Sequence, residues 1–191
     1  MKGSQTEIES VRAQIDEVLK ELDALVVGLS DEQLRWSPGQ GRWSIVDCLE
    51  HLNVSGGWFT KQMGFGIRQG RERGWTDPGH AFRPRPFDRL YAWILEPPVR
   101  RLKAPAPAAS RPQRQASPAE VVSTFRKLQE TIRERLQEAE GLDLRRARAR
   151  SPFSKHIRFS LGGCFRVALA HERRHLWQAR QVRDAPGFPA S

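Results

Sequence analysis

His171 and His175 stand four residues apart in the string Ala170-His171-Glu172-Arg173-Arg174-His175-Leu176. On a helix that spacing stacks two imidazoles on one face, about 5–6 Å apart at Cβ. Both rings can then reach one metal ion. The string is also an H-E-x-x-H pattern, in which two histidines bind zinc and the glutamate, here Glu172, activates water. Two histidines alone bind weakly, so the position of a third ligand decides what the pair can do. Downstream of His175 only Asp184 is an acidic candidate, and no further His, Glu or Cys follows. That counts against a metalloprotease reading. A chance coincidence on a charged helix face is the competing explanation for a motif this short.

The elements that must position the pair are readable from periodicity. Ser160 to Arg183 contains no proline, and Leu161, Phe165, Ala168, Leu169, Leu176, Ala179 and Val182 recur at helical spacing. A first helix is expected over 5–29, with Ile8, Val11, Ile15, Val18, Leu22 and Leu25 on its apolar stripe. Ser30 to Gln33 reads as a capping box opening a short helical turn. Ser44 is a good N-cap for a helix from about 45 to 63, with Asp47 in its first turn. Gly56 and Gly57 each weaken this helix by about 1 kcal/mol relative to alanine and are read as allowing close packing or room beside a site; its end is expected among Gly64, Gly66 and Gly70. His51 lies in this helix, three residues after Cys48.

Residues 70–117 are the least regular, and eight of the 13 prolines lie between Pro84 and Pro118. A short helix is expected over Phe87–Leu95, since Leu90, Tyr91, Trp93, Ile94 and Leu95 need burying, and Pro97-Pro98 stops it. Ala104 to Gln115 reads as an exposed linker. Ser117-Pro118-Ala119-Glu120 is a strong helix start, and Gly141 is the stop. Arg145 to Phe153 reads as a basic loop, and His156 to Phe159 alternates over too short a run to argue for a sheet. His80 and His156 have no partner at ligand spacing and are read as exposed.

Four amphipathic main helices predict an all-α protein, a four-helix bundle with a long Pro/Arg-rich connection between the second and third main helices. Residues 1–191 are expected to form one domain, with 84–117 an irregular connection within it. No apolar run approaches the ~18 residues of a membrane span. The N-terminal stretch enters a helical pattern with no apolar segment, so no secretory signal is expected. Cys48 and Cys164 make no disulfide framework and read as buried small hydrophobes, which fits a cytoplasmic protein. The net charge of +10 is uneven. Residues 1–65 hold 6 Lys/Arg against 10 Asp/Glu, a balance of −4; residues 66–191 hold 26 against 12, a balance of +14. No nucleic-acid reading motif accompanies this charge, so a solvated basic surface is expected and no specific nucleic-acid partner.

Bundles build metal sites from inward side chains on facing helices. His51 on the second main helix and His171 and His175 on the fourth would supply three nitrogens. Trp43-Ser44-Ile45-Val46-Asp47-Cys48-Leu49-Glu50-His51-Leu52 and His171-Glu172-Arg173-Arg174-His175-Leu176-Trp177-Gln178 together resemble the DinB/YfiT-like superfamily of metal-dependent enzymes. The shared features are the Trp-Ser opening, the His-Leu of the second helix and the His-x-x-x-His-x-x-Gln of the fourth. The resemblance spans residues 5–183. It implies a four-helix bundle, a divalent ion held by His51, His171 and His175, most often zinc or nickel, and a homodimer. It also implies a small-molecule substrate, with low-molecular-weight thiols among the cosubstrates. The Pro/Arg-rich connection departs from a minimal member of that family.

Three histidines leave a coordination position open, the geometry of a catalytic site. Imidazole suits several divalent metals, so the residues alone do not choose among them. The expected function is a metal-dependent hydrolase or thiol-dependent transferase. A basic binding module and a metal-binding bundle without catalysis are the alternatives. No membrane partner is expected.

Overall fold

The structure, a computed structural model, describes residues 4–77, 79, 81–98, 112–113, 115–151 and 154–190. His80 and most of the Ala104–Gln115 stretch lie outside the described residues. Among the described residues, six helices and one hairpin follow in the order α1 (Ser4–Val26), α2 (Asp31–Arg35), α3 (Ile45–Glu72), α4 (Pro86–Leu95), α5 (Pro118–Glu138), β1 (Arg148–Ser151), β2 (Ser154–Ser160) and α6 (Leu161–Arg183). The four long helices α1, α3, α5 and α6 form the bundle: α3 and α1 each pack against both α5 and α6. The core runs along their facing stripes, from Ile8, Ile15 and Leu22 through Leu49, Leu52 and Phe59 to Phe125, Ile132 and Phe165.

Helix starts follow local chemistry. Ser30, Ser44 and Ser117 each accept a hydrogen bond from the backbone three residues on, and Gln33, Asp47 and Glu120 bond back to the cap. These reciprocal bonds satisfy amides that a helix start leaves orphaned. Long-range ion pairs then bind helix to helix. Arg166 donates two 2.5 Å hydrogen bonds to the buried Glu7, joining α6 to α1.

Three expectations need correction. The second main helix does not stop near residue 63 but continues to Glu72. Two glycines inside the helix, Gly56 and Gly66, face neighbours that come too close for a side chain. A Cβ on Gly66 would lie 2.8 Å from the carbonyl oxygen of Arg148, and one on Gly56 would lie 2.3 Å from Leu128. Tertiary approach, not helix termination, explains them. The basic stretch after Gly141 is also not all loop. Arg148 to Ser151 pairs antiparallel with Ser154 to Ser160, through Ala149↔Phe159 and Arg150↔Arg158. Ala149 and Phe159 are buried while Arg150, His156 and Arg158 are exposed, so one face of a short hairpin is enough to hold it on the bundle. The third correction concerns α4. It forms where expected and packs on α6 and β2. Yet its one buried residue, among those described, is Asp88, while Phe87, Leu90 and Trp93 are 44%, 53% and 54% exposed.

Candidate metal centre

Ser44 and Asp47 fix where α3 begins. The Asp47 amide donates to Ser44 Oγ at 3.1 Å, and the Ser44 amide donates to Asp47 Oδ2 at 2.9 Å. His51 follows one turn later and points into the bundle. On α6 the N-cap Ser160 accepts from the Gly163 amide, and the small residues Ala168, Ala170 and Ala179 are buried. His171 and His175 lie on the same helix, and α3 packs against it.

The three imidazoles meet. Their ring centroids are 4.5 Å (His51–His175), 4.7 Å (His171–His175) and 5.1 Å (His51–His171) apart. One nitrogen from each lies within 4.8 Å of the others. Exposure is 2% for His51, 7% for His171 and 9% for His175. His51 Nε2 and His171 Nε2 are 3.3 Å apart. Two ligands at ~2.0–2.1 Å from a tetrahedral zinc would be about 3.3–3.4 Å apart. The donor set and its spacing therefore fit a divalent ion.

Neighbouring side chains set the rings' orientation. Gln178 Oε1 is 3.1 Å from His175 Nδ1, which assigns the proton to Nδ1 and leaves Nε2 as a lone-pair donor. The Trp43 indole stacks on His175 at 5.7 Å and lies 5.1 Å from His51. Burial holds the His171 imidazolium well below its ordinary range, with the His175, His51 and Arg174 charges adding to this. Burial likewise pulls His175 down to about 3, assisted by His51 and Arg174 and opposed by Gln178. Burial and the neighbouring charges outweigh the Gln178 bond and favour the neutral ring, which is the form that binds metal.

Glu172, the would-be catalytic base of H-E-x-x-H, is turned elsewhere. It is buried, and its Oε1 accepts a 3.1 Å hydrogen bond from Gln129 Nε2 on α5. It does not belong to the metal-competent group, whose members are the three histidines. Burial pushes its carboxyl up to about 7, against the Gln129 bond and the Arg173 charge. Glu172 Oε2 and Gln129 Oε1 have no hydrogen-bond partner among the described residues. Arg173 pairs instead with Glu96 at the end of α4. Gln129 was legible only as a polar interruption in the stripe Phe125, Leu128, Ile132, Leu136, and nothing in the sequence tied it to Glu172. Cys48 and Cys164 are buried thiols whose pKa burial raises, and neither joins the group. His156 is exposed on β2, away from it.

The fold is thus a helical bundle whose facing helices carry a buried three-imidazole group able to hold a metal ion. The DinB superfamily profile matches residues 14–179, and the chain belongs to that superfamily. No curated protein and no solved structure matches the chain.

Proposed function

We propose that the protein is a metal-dependent enzyme in which His51, His171 and His175 hold one zinc or nickel ion, acting on a small molecule with a low-molecular-weight thiol as cosubstrate. The observation that carries this reading is the convergence of three buried ring nitrogens, two of them 3.3 Å apart, with the second nitrogen of His175 engaged by Gln178. When bound, a divalent ion at an open three-histidine site lowers the pKa of a bound water or thiol.

A thiol-dependent transferase is favoured over a hydrolase by the position of Glu172. A thiol is deprotonated outright by coordination and needs no side-chain base. Hydrolysis in H-E-x-x-H enzymes uses the glutamate as base, and here that carboxyl faces Gln129. The roles assigned to the chain are positional. Gln178 orients His175, Trp43 covers one side of the ligand rings and limits water there, and burial keeps the imidazoles neutral.

The test begins with metal analysis of untagged protein prepared without chelator, before and after incubation with zinc or nickel. Loaded protein is then assayed for loss of thiol in the presence of electrophilic acceptors. Near-stoichiometric metal and metal-dependent thiol consumption are expected, both lost in His51→Ala. Failure to bind metal would sink the reading, and turnover of water-labile substrates without thiol would favour the hydrolase. Metal without turnover would leave a non-catalytic metal-binding bundle.

A further inference from the structure

We propose that α4 docks on the surface of an anionic phospholipid bilayer. The observation behind this is the inverted burial of the helix. Asp88 points inward, and its Oδ2 accepts from the Ser160 hydroxyl at 2.6 Å and the Ser160 amide at 3.2 Å. At the other end Glu96 pairs with Arg173. Tyr91 packs on Phe159 between them. The helix is thus clamped to α6 and β2 through its acids, and its outer face is left to Leu90 and Trp93, with Phe87 on one shoulder and Arg89 on the other.

The exposed charges on α4 and the segment leading into it are basic. Residues 81–98 contain Arg83, Arg85 and Arg89, and of their two acids Asp88 is buried against Ser160 while Glu96 is paired with Arg173. Arg83 and Arg89 are exposed, and Arg85 lies near enough to Arg148 to oppose its charge. Exposed Trp, Leu and Phe with a cationic rim match the chemistry of an interfacial helix on anionic lipid. At ten residues α4 is about 15 Å long, half of the ~30 Å hydrocarbon core. It would lie in the headgroup layer and not cross. Among the described residues no helix is long and apolar enough to cross a membrane.

A second copy of the chain fits the face less well. Three half-exposed side chains offer roughly 300 Å², against ~800 Å² per partner in a standard interface. A two-fold contact would also set the arginines of one copy against those of the other. The proposal is independent of the metal centre and revises the sequence expectation that no membrane partner exists.

The test is co-sedimentation of the full chain with vesicles of phosphatidylcholine alone or mixed with phosphatidylglycerol. Binding is expected only to the mixed vesicles, weakening as salt is raised. The double variant Leu90→Ser/Trp93→Ser should bind about tenfold more weakly or worse. Arg83→Gln and Arg89→Gln should each lose about fivefold. Val27→Ser, at an exposed valine after α1, should bind as wild type does. Trp93 is the one tryptophan among the exposed large hydrophobics, so brominated acyl chains in the mixed vesicles should quench wild-type fluorescence. That measurement stands even if the double variant fails to fold. Equal binding to both vesicle types, no quenching, or a double variant that binds like wild type would overturn the proposal. So would self-association of wild type that the double variant abolishes, since the face would then belong to a second copy.

Discussion

Glu172 carries a cost that depends on pH. Its folded pKa is raised to about 7 from an ordinary 4.5, so the folded protein holds a proton there that the unfolded chain releases. The stability tied to that proton is complete below pH 4.5 and is lost as pH rises through about 7. Glu172→Gln keeps an acceptor for Gln129 and removes the charge. In metal-free protein the variant should match wild type below pH 4.5 and exceed it by on the order of 3 kcal/mol above pH 7. Urea titrations across that range check this, and a difference independent of pH would refute it. His175 works in the opposite sense. Its folded pKa is depressed to about 3 from 6.5, so metal-free protein loses stability as pH falls below 6.5. His171 adds to the same slope. At the same scale, His51→Ala, His171→Ala and His175→Ala should each abolish tight metal binding, while His156→Ala, on the exposed face of β2, should leave metal content unchanged.

Helices report how local each signal was. The caps at Ser30, Ser44 and Ser117 were legible because both partners of each bond lie three residues apart. Replacing Ser117 by Ala should cost about 0.5–2 kcal/mol, measured by thermal or urea unfolding. The i, i+4 histidines were legible for the same reason, and His51 followed from its place on an apolar helix face. What the sequence hid was distant pairing. Gly66 looked like a helix end because its reason, the Arg148 carbonyl, lies on another element. Gly66→Ala should therefore destabilise the protein by well over the gain in helix propensity, because the 2.8 Å contact is with backbone that cannot rotate away. A stabilised Gly66→Ala would show that β1 yields freely. The hairpin was hidden because its alternating run is short and rich in arginine. The exposure of Trp93 and Leu90 was hidden because apolar periodicity marks a face but not what covers it.

At the scale of the molecule, an ion held by His51, His171 and His175 would join α3 to α6. A ligand that binds only the folded state stabilises it by about 2.7 kcal/mol at a hundredfold excess over Kd. Chelation should lower Tm by about 5–10 °C for a chain of this size, and scanning calorimetry with and without chelator reads it directly. His51 and His171 are 120 residues apart in sequence. That separation is also an interval of time. At about 5–20 residues per second of synthesis, His51 leaves the ribosome roughly 6–24 s before His171 does. Throughout that delay a nascent chain owns one imidazole of the three and has no α6 for α3 to pack against. Metal capture at this site would thus wait until α6 has been made, and a chain that stalls short of α6 would hold one of the three ligands.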